Sequence, residues 1–241
     1  YAPGSFIISM QADDKKGDDE FRIVLSSEKP GTPIKFTLDG STPTVTSSQY
    51  IRPFTINKTT QVRAALFIKG NQAGKVSEKI FYFHKAIGKP VEYLIPHKQK
   101  YPGKGTLSLV DGLKGTSHYN DGCWQGWEGD DIDVILDLGE RTLISKISAG
   151  FLESVGSWIF LPIHIAVSFS IEGKQFKNEK IIQLTEAPPD SPPERRTADF
   201  SGISELCRYI RIRAQNRKVC PDWHPGSGGK AWIFSDEIII E

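Results

Sequence analysis

Four groups able to do chemistry crowd into the stretch CPDWHPGSGGKAWIF, residues 220–234: the thiol of Cys220, the carboxylate of Asp222, the imidazole of His224 and the amine of Lys230. A phosphate-cradling G-x-x-x-x-G-K-[ST] loop would need glycine where His224 stands, a hydroxyl where Ala231 stands and a helix after it. The following WIFSDEIII reads as a strand, so that chemistry is excluded. A zinc site built on Cys220, Asp222 and His224 lacks a second ligand pair. Asp236 and Glu237 form an acidic pair, but successive side chains on a strand face opposite sides and would not converge on one substrate.

What the stretch does offer is aromatic surface beside polar groups. Sugar rings present apolar C–H faces that stack on indole or phenol, and hydroxyls that bond to His, Arg, Asn or Asp. Two segments combine both. Residues 117–131, SHYNDGCWQGWEGDD, bring His118, Tyr119, Asn120, Trp124 and Trp127. The second segment brings Trp223 and His224, with Asn216 and Arg217 just ahead. The competing role for each tryptophan is to cap a β-core. Trp127 and Trp232 read most readily that way, and Trp158, ahead of an apolar strand, reads as a seal on its end. Trp223, between Asp222 and His224 and followed by Pro225-Gly226, is the hardest to bury and the first choice as a platform.

These residues need a rigid scaffold, and its class is legible. Helical periodicity is nearly absent, and short β-rich runs bounded by Gly, Pro, Asn and Asp recur along all 241 residues. The chain is therefore read as all-β. In its first part SFIISM, EFRIVL, PIKFTL, FTIN, TQVRAALFI and EKIFYF read as strands, with turns at Asp39-Gly40 and over residues 69–75. That strand density suits an immunoglobulin-like or fibronectin-like sandwich over residues 1–86. HKAIGKP, residues 84–90, reads as a linker. A second β-domain is expected over 90–241, with strands in DIDVILDLG, LISKISAGF, WIFLPIHIAVSFS, EKIIQL, CRYIRIRA and AWIFSDEIIIE and with longer, aromatic-rich loops. The Pro-rich TEAPPDSPPERR, residues 185–196, reads as an exposed loop within it.

The bulk composition sets further bounds. Thirty basic and 29 acidic side chains leave a net charge of +1, so no global field draws in nucleic acid or an anionic membrane. No window approaches the ~18 apolar residues of a membrane-spanning helix. Cys123, Cys207 and Cys220 permit at most one intramolecular disulfide. The opening YAPGSF has the character of neither half of a signal peptide, so any secretory signal is expected upstream or already removed.

Two resemblances add to this reading. KFTLDGSTPTVTSSQYIRPFTI, residues 35–56, resembles the accessory sandwich domain at the C-terminus of chitobiases and β-hexosaminidases. LVDGLKGT, DVILDLG with ISKIS, VSFSIEGKQF, RYIRIRA and FSDEIII together resemble discoidin-type domains (coagulation-factor type C), whose fold is a galactose-binding-like jelly roll. WQGWEGDD, SWIFLP and CPDWHPGSGGKAWIFSDEI are similar to the version attached to β-N-acetylhexosaminidases of gut-type Bacteroidetes. The resemblance implies a non-catalytic accessory and carbohydrate-binding region of a secreted, periplasmic or cell-surface glycoside hydrolase. Its partners would be glycans containing galactose or N-acetylhexosamine and the parent's catalytic domain, and a monomer is expected. The alternative is an interaction module that packs on the catalytic domain or binds a protein without binding sugar. In such enzymes an Asp-Glu pair is catalytic, but it belongs to a TIM barrel of ~250 residues, for which this chain lacks the βα alternation. The sugar contacts expected from the two aromatic segments are Trp223, His224, Trp124, His118, Tyr119 and Arg217. The resemblance also implies a structural Ca²⁺ held by oxygens of Asp111, Thr116 and Glu237. Leu113, where many relatives place a second Asp, departs from that set. A plain Asp-Gly turn with Glu237 paired to a lysine is the other reading.

Overall fold

The computed structural model describes residues 7–13 and 20–241. It divides into two units, residues 1–83 and 84–241. Both are built from antiparallel strands, as the alternation of apolar and polar residues requires.

The first unit contains β1 (Ile8–Asp13), β2 (Phe21–Ser27), β3 (Ile34–Thr37), β4 (Ser48–Gln49), β5 (Phe54–Ile56), β6 (Thr60–Ile68) and β7 (Asn71–Phe81). They form sheets of order β1-β2-β5 and β4-β3-β6-β7, an immunoglobulin-like arrangement. On β2 the side chains of Phe21, Ile23 and Leu25 alternate inward, and the Phe21 ring meets Phe81 of the other sheet at 6.2 Å. The turn expected over residues 69–75 is narrower than its composition suggested. Lys69 and Gly70, with φ of 49° and 82°, make a two-residue hairpin, and Asn71 onward already pairs with β6. Residues 5 and 6 of the expected strand SFIISM lie outside the described residues. In the DGSTP motif, Asp39 Oδ1 accepts the Ser41 amide at 3.0 Å and the Ser41 hydroxyl at 2.6 Å, which closes the turn on itself.

The second unit contains β8 (Val91–Tyr93), β9 (Gln125–Glu128), β10 (Ile132–Ile144), β11 (Ile147–Glu153), β12 (Ile165–Ser170), β13 (Lys177–Ile182), β14 (Glu194–Phe200), β15 (Glu205–Ala214) and β16 (Trp232–Ile240). Its sheets, β13-β12-β15-β10-β8 and β14-β11-β16-β9, enclose one core in a jelly-roll sandwich. Val134, Leu136, Val167, Ile210 and Ile212 supply one wall, and Ala149, Phe151, Ala198, Ile233 and Ile238 the other. HKAIGKP is not a free linker: His84 and Ala86 are buried within this unit, and the Lys85 amide donates to Ile240 O at 3.0 Å. The Pro-rich loop is pinned as well, because Glu153 Oε1 accepts the Ala187 amide at 2.9 Å. Cys207 and Cys220 are buried thiols, and burial pushes Cys207 up to about 11.

One irregularity alters the reading of the acidic pair. Ala149 is paired with Ile238 and Phe151 with Ser235, so Asp236 and Glu237 together oppose the single residue Gly150. This β-bulge resets the alternation of β16, with the result that both carboxylates reach the same loop instead of opposite faces. Gly150 is required there for space, since a Cβ would collide with the Asp236 carboxylate and the Arg195 guanidinium.

Candidate functional site

Two groups of candidate residues emerge, one sealed and one open. The sealed group is the loop Asp111–Thr116 and the end of β16. Glu237 Oε2 accepts the amides of Gly112 and Leu113 at 3.0 and 3.2 Å. Asp236 Oδ2 accepts that of Gly115 at 2.7 Å, and the Arg195 guanidinium grips both its oxygens at 2.5 and 3.0 Å. The pair that looked like an acid/base couple is a clamp on a loop, and both members are fully buried.

His84 completes this cluster. Its Nδ1 accepts amides of Ala86 and Ile240, so Nε2 carries the hydrogen and donates to Glu237 Oε1 at 2.7 Å. Burial holds the imidazole neutral by lowering its pKa to about 3. Asp111 Oδ1 accepts the Leu113 amide at 2.9 Å, and Oδ2 is buried without a hydrogen-bond partner. Burial first, then the neighbouring Glu237 charge, raises Asp111 to about 8.

Asp111 and Glu237 thus come together, but Thr116 does not join them. Its hydroxyl donates to Asp121 Oδ2 at 2.8 Å on an exposed loop, and its carbonyl accepts the Trp124 indole N–H at 3.1 Å. Both Glu237 oxygens already take N–H donors. These donors do not fit a calcium cage, which needs six to eight convergent oxygens. Leu113, 2% exposed, faces the interior where a further carboxylate was wanted.

The open group lies on the loops after β11 and β15. Trp223 is 55% exposed and Trp158 40%. Between them stands His224, buried, with its ring 5.8 Å from Trp223, 6.0 Å from Trp158 and 5.4 Å from Phe160. Its Nδ1 accepts the Gly226 amide and its Nε2–H donates to Val155 O, both at 2.9 Å. No ring nitrogen is left for a ligand hydroxyl, so the sequence-based assignment of His224 as a sugar contact is corrected: it is the post on which two indoles lean. Arg217 is similarly committed. Its guanidinium lies 4.5 Å from the Phe160 ring centroid and pairs with Glu186, leaving its side chain 19% exposed.

The other expected contacts fall elsewhere. Trp124 is 1% exposed and packs with Leu152, Ile159, Trp232 and Phe234 against the outer face of the four-stranded sheet. It is core and not a platform, and Gly115 is the residue that gives its ring room. His118 and Tyr119 are exposed, but Tyr119 is set edge-on to Tyr101 and Phe234. Among the described residues no ring contact joins it to the Trp158–His224–Trp223 group. Trp127 is fully buried with its N–H on Ile95 O at 3.0 Å, as expected of a core indole. Asn216 is buried too, and its amide donates to the carbonyls of Asp130 and Ala231 at 3.0 and 3.1 Å.

Comparison with known proteins gives one matching family model and a set of solved structures. A family model described as the chitobiase/beta-hexosaminidase C-terminal domain matches residues 17–78, within the first unit. No curated protein matches the chain. Among solved structures, a Streptococcus pneumoniae fucose binding module is 11% identical with a TM-score of 0.45, covering 72% of this chain and 97% of that one. Chitosan-binding module 1 of a chitosanase/glucanase from Paenibacillus sp. IK-5 is 11% identical with a TM-score of 0.40, covering 66% and 98%. The lectin domain of lectinolysin complexed with Lewis B antigen is 13% identical with a TM-score of 0.39, covering 66% and 95%.

Proposed function

We propose that this chain is a non-catalytic accessory region of a secreted or cell-surface β-N-acetylhexosaminidase of the chitobiase type, and that its second unit captures glycans at the Trp158–His224–Trp223 rim. The observation that carries the reading is the contrast among the five tryptophans. Three are at most 8% exposed, whereas Trp158 and Trp223 stand open on one loop system around a buried histidine. Large aromatic faces held rigid and left in water fit the apolar face of a pyranose. The match over residues 17–78 supports a glycosidase as the parent. Weak capture of galactose- or N-acetylhexosamine-bearing chains would be multiplied by tethering to a catalytic domain, since linkage raises effective concentration without new contacts.

The test is a titration of the whole chain with galactose, N-acetylglucosamine and mucin-type glycans, followed by tryptophan fluorescence and extended to a glycan array. Binding that is lost in Trp223→Ala supports the reading. Silence of the unaltered protein across the array would overturn it in favour of an interaction module.

A further inference from the structure

The glycines of PGSGGK have two different causes, and the difference singles out Trp158. Gly228 has a φ of +78°, a conformation that calls for glycine in its own right. Gly226 and Gly229 do not adopt the left-handed region, so backbone geometry gives no reason for their identity. Space does. A Cβ on Gly226 would lie 2.4 Å from Cζ2 and 2.5 Å from Cε2 of Trp158, and one on Gly229 would lie 2.7 Å from its Cζ3. The indole rests on bare backbone that only glycine can provide, and the side chain remains 40% exposed.

The backbone of Trp158 is itself unusual. With φ 66° and ψ 19° it occupies the left-handed region at the end of the short 3₁₀ turn Val155–Ser157, where glycine or asparagine is the common choice. Surrounding bonds enforce that shape. The Trp158 amide donates to Val155 O at 2.8 Å, and its carbonyl accepts the Trp232 amide at 2.9 Å. A bulky aromatic held in a disfavoured conformation, over two glycines that exist to seat it, is poorly accounted for as a seal on a strand, because a seal would be covered. The Trp158 indole N–H, moreover, has no protein acceptor among the described residues, unlike those of Trp124 and Trp127.

We infer that Trp158 is a second stacking platform beside Trp223, so that the rim recognises at least two linked sugar rings of an oligosaccharide and not a single terminal residue. The inference rests on the proposed reading of the rim as a sugar site. Both indoles touch the same imidazole, which places them within reach of consecutive units of one short glycan. His224 fixes the geometry between them as a positioning residue.

The experiment compares monosaccharides with their β-linked di- and trisaccharides by calorimetry on the whole chain, using galactose and N-acetylglucosamine series. The unaltered protein is expected to bind a disaccharide about five- to tenfold more tightly than its monosaccharide, the gain of one additional stacking contact. Trp158→Ala should abolish that gain, bringing the disaccharide-to-monosaccharide affinity ratio to about one. Gly229→Ala, which keeps the indole but lifts it from its seat, should also reduce the gain, and it serves if the alanine at 158 perturbs folding. Trp223→Ala should weaken both ligands. An unchanged disaccharide-to-monosaccharide ratio in both Trp158→Ala and Gly229→Ala would overturn the second platform while leaving the rim as a sugar site. Absence of binding to every member of the series would overturn both.

Discussion

The sealed loop beneath β16 and the open rim after β15 use similar residue types to opposite ends. Each contains a histidine with both nitrogens engaged, an aspartate and a tryptophan nearby. In the sealed cluster the histidine donates to a buried carboxylate, and the neighbouring indole, Trp124, is covered. At the rim the histidine donates to a backbone carbonyl, and the flanking indoles are left in water. The lesson is that residue type alone does not separate a binding loop from a structural clamp. What separates them is whether the aromatic faces are already satisfied by protein.

That contrast can be broken by substitution. Trp124→Ala, which empties the interior of the outer aromatic cluster, is expected to cost about 3–5 kcal/mol in urea unfolding, whereas Trp223→Ala should stay within about 0.5 kcal/mol. Similar losses for the two would erase the distinction between core and platform. His84→Ala comes next. It leaves the Glu237 carboxyl without one of its donors, and a loss of roughly 2–3 kcal/mol is expected in the same assay, with sugar affinity unchanged. A loss under about 0.5 kcal/mol would show that the clamp holds without its histidine.

Smaller effects sharpen the comparison. Asp137, on the outer face of the five-stranded sheet, is held below the usual carboxylate range chiefly by its hydrogen bonds from Arg208, at 2.7 and 2.8 Å. Its contribution is therefore present above the unfolded carboxylate value near 4 and disappears as pH falls through the lower folded value. Urea midpoints at pH 7 and pH 3 should differ slightly less in Asp137→Asn than in the unaltered protein. An identical pH difference would remove the pair from the account of acid stability. Smallest of all is the response to metal. Because Glu237 already accepts three N–H groups and Thr116 points elsewhere, millimolar Ca²⁺ or EDTA should leave the melting temperature unchanged within about 1 °C. A Ca²⁺-dependent rise of several degrees, as linkage demands of a tightly bound ligand, would reinstate the ion.

Several features were legible in advance. The scarcity of helical periodicity and the alternating runs gave an all-β chain in two parts, and the loop chemistry of residues 220–230 singled out Trp223 as exposed. The start of strand β14 is hidden inside the Pro-rich stretch 185–196 because the charged Glu194, Arg195 and Arg196 that follow the prolines carry no apolar alternation, and β9 is hidden inside the segment 117–131 because Gly126 and Trp127 there resemble a binding loop. The linker reading of HKAIGKP failed because glycine and proline mark a break in alternation, yet do not reveal that His84 and Ala86 have buried partners more than a hundred residues away.

Local sequence determines period, turn chemistry and the supply of aromatic rings, because these depend on neighbours along the chain. Tertiary structure decided the rest: that a bulge turns Asp236 and Glu237 onto one loop, that His224 is a post and not a ligand, and that Trp158 lies on Gly226 and Gly229. Each of these depends on contacts between segments distant in sequence, where burial and the exclusion of competing atoms fix what a side chain is free to touch.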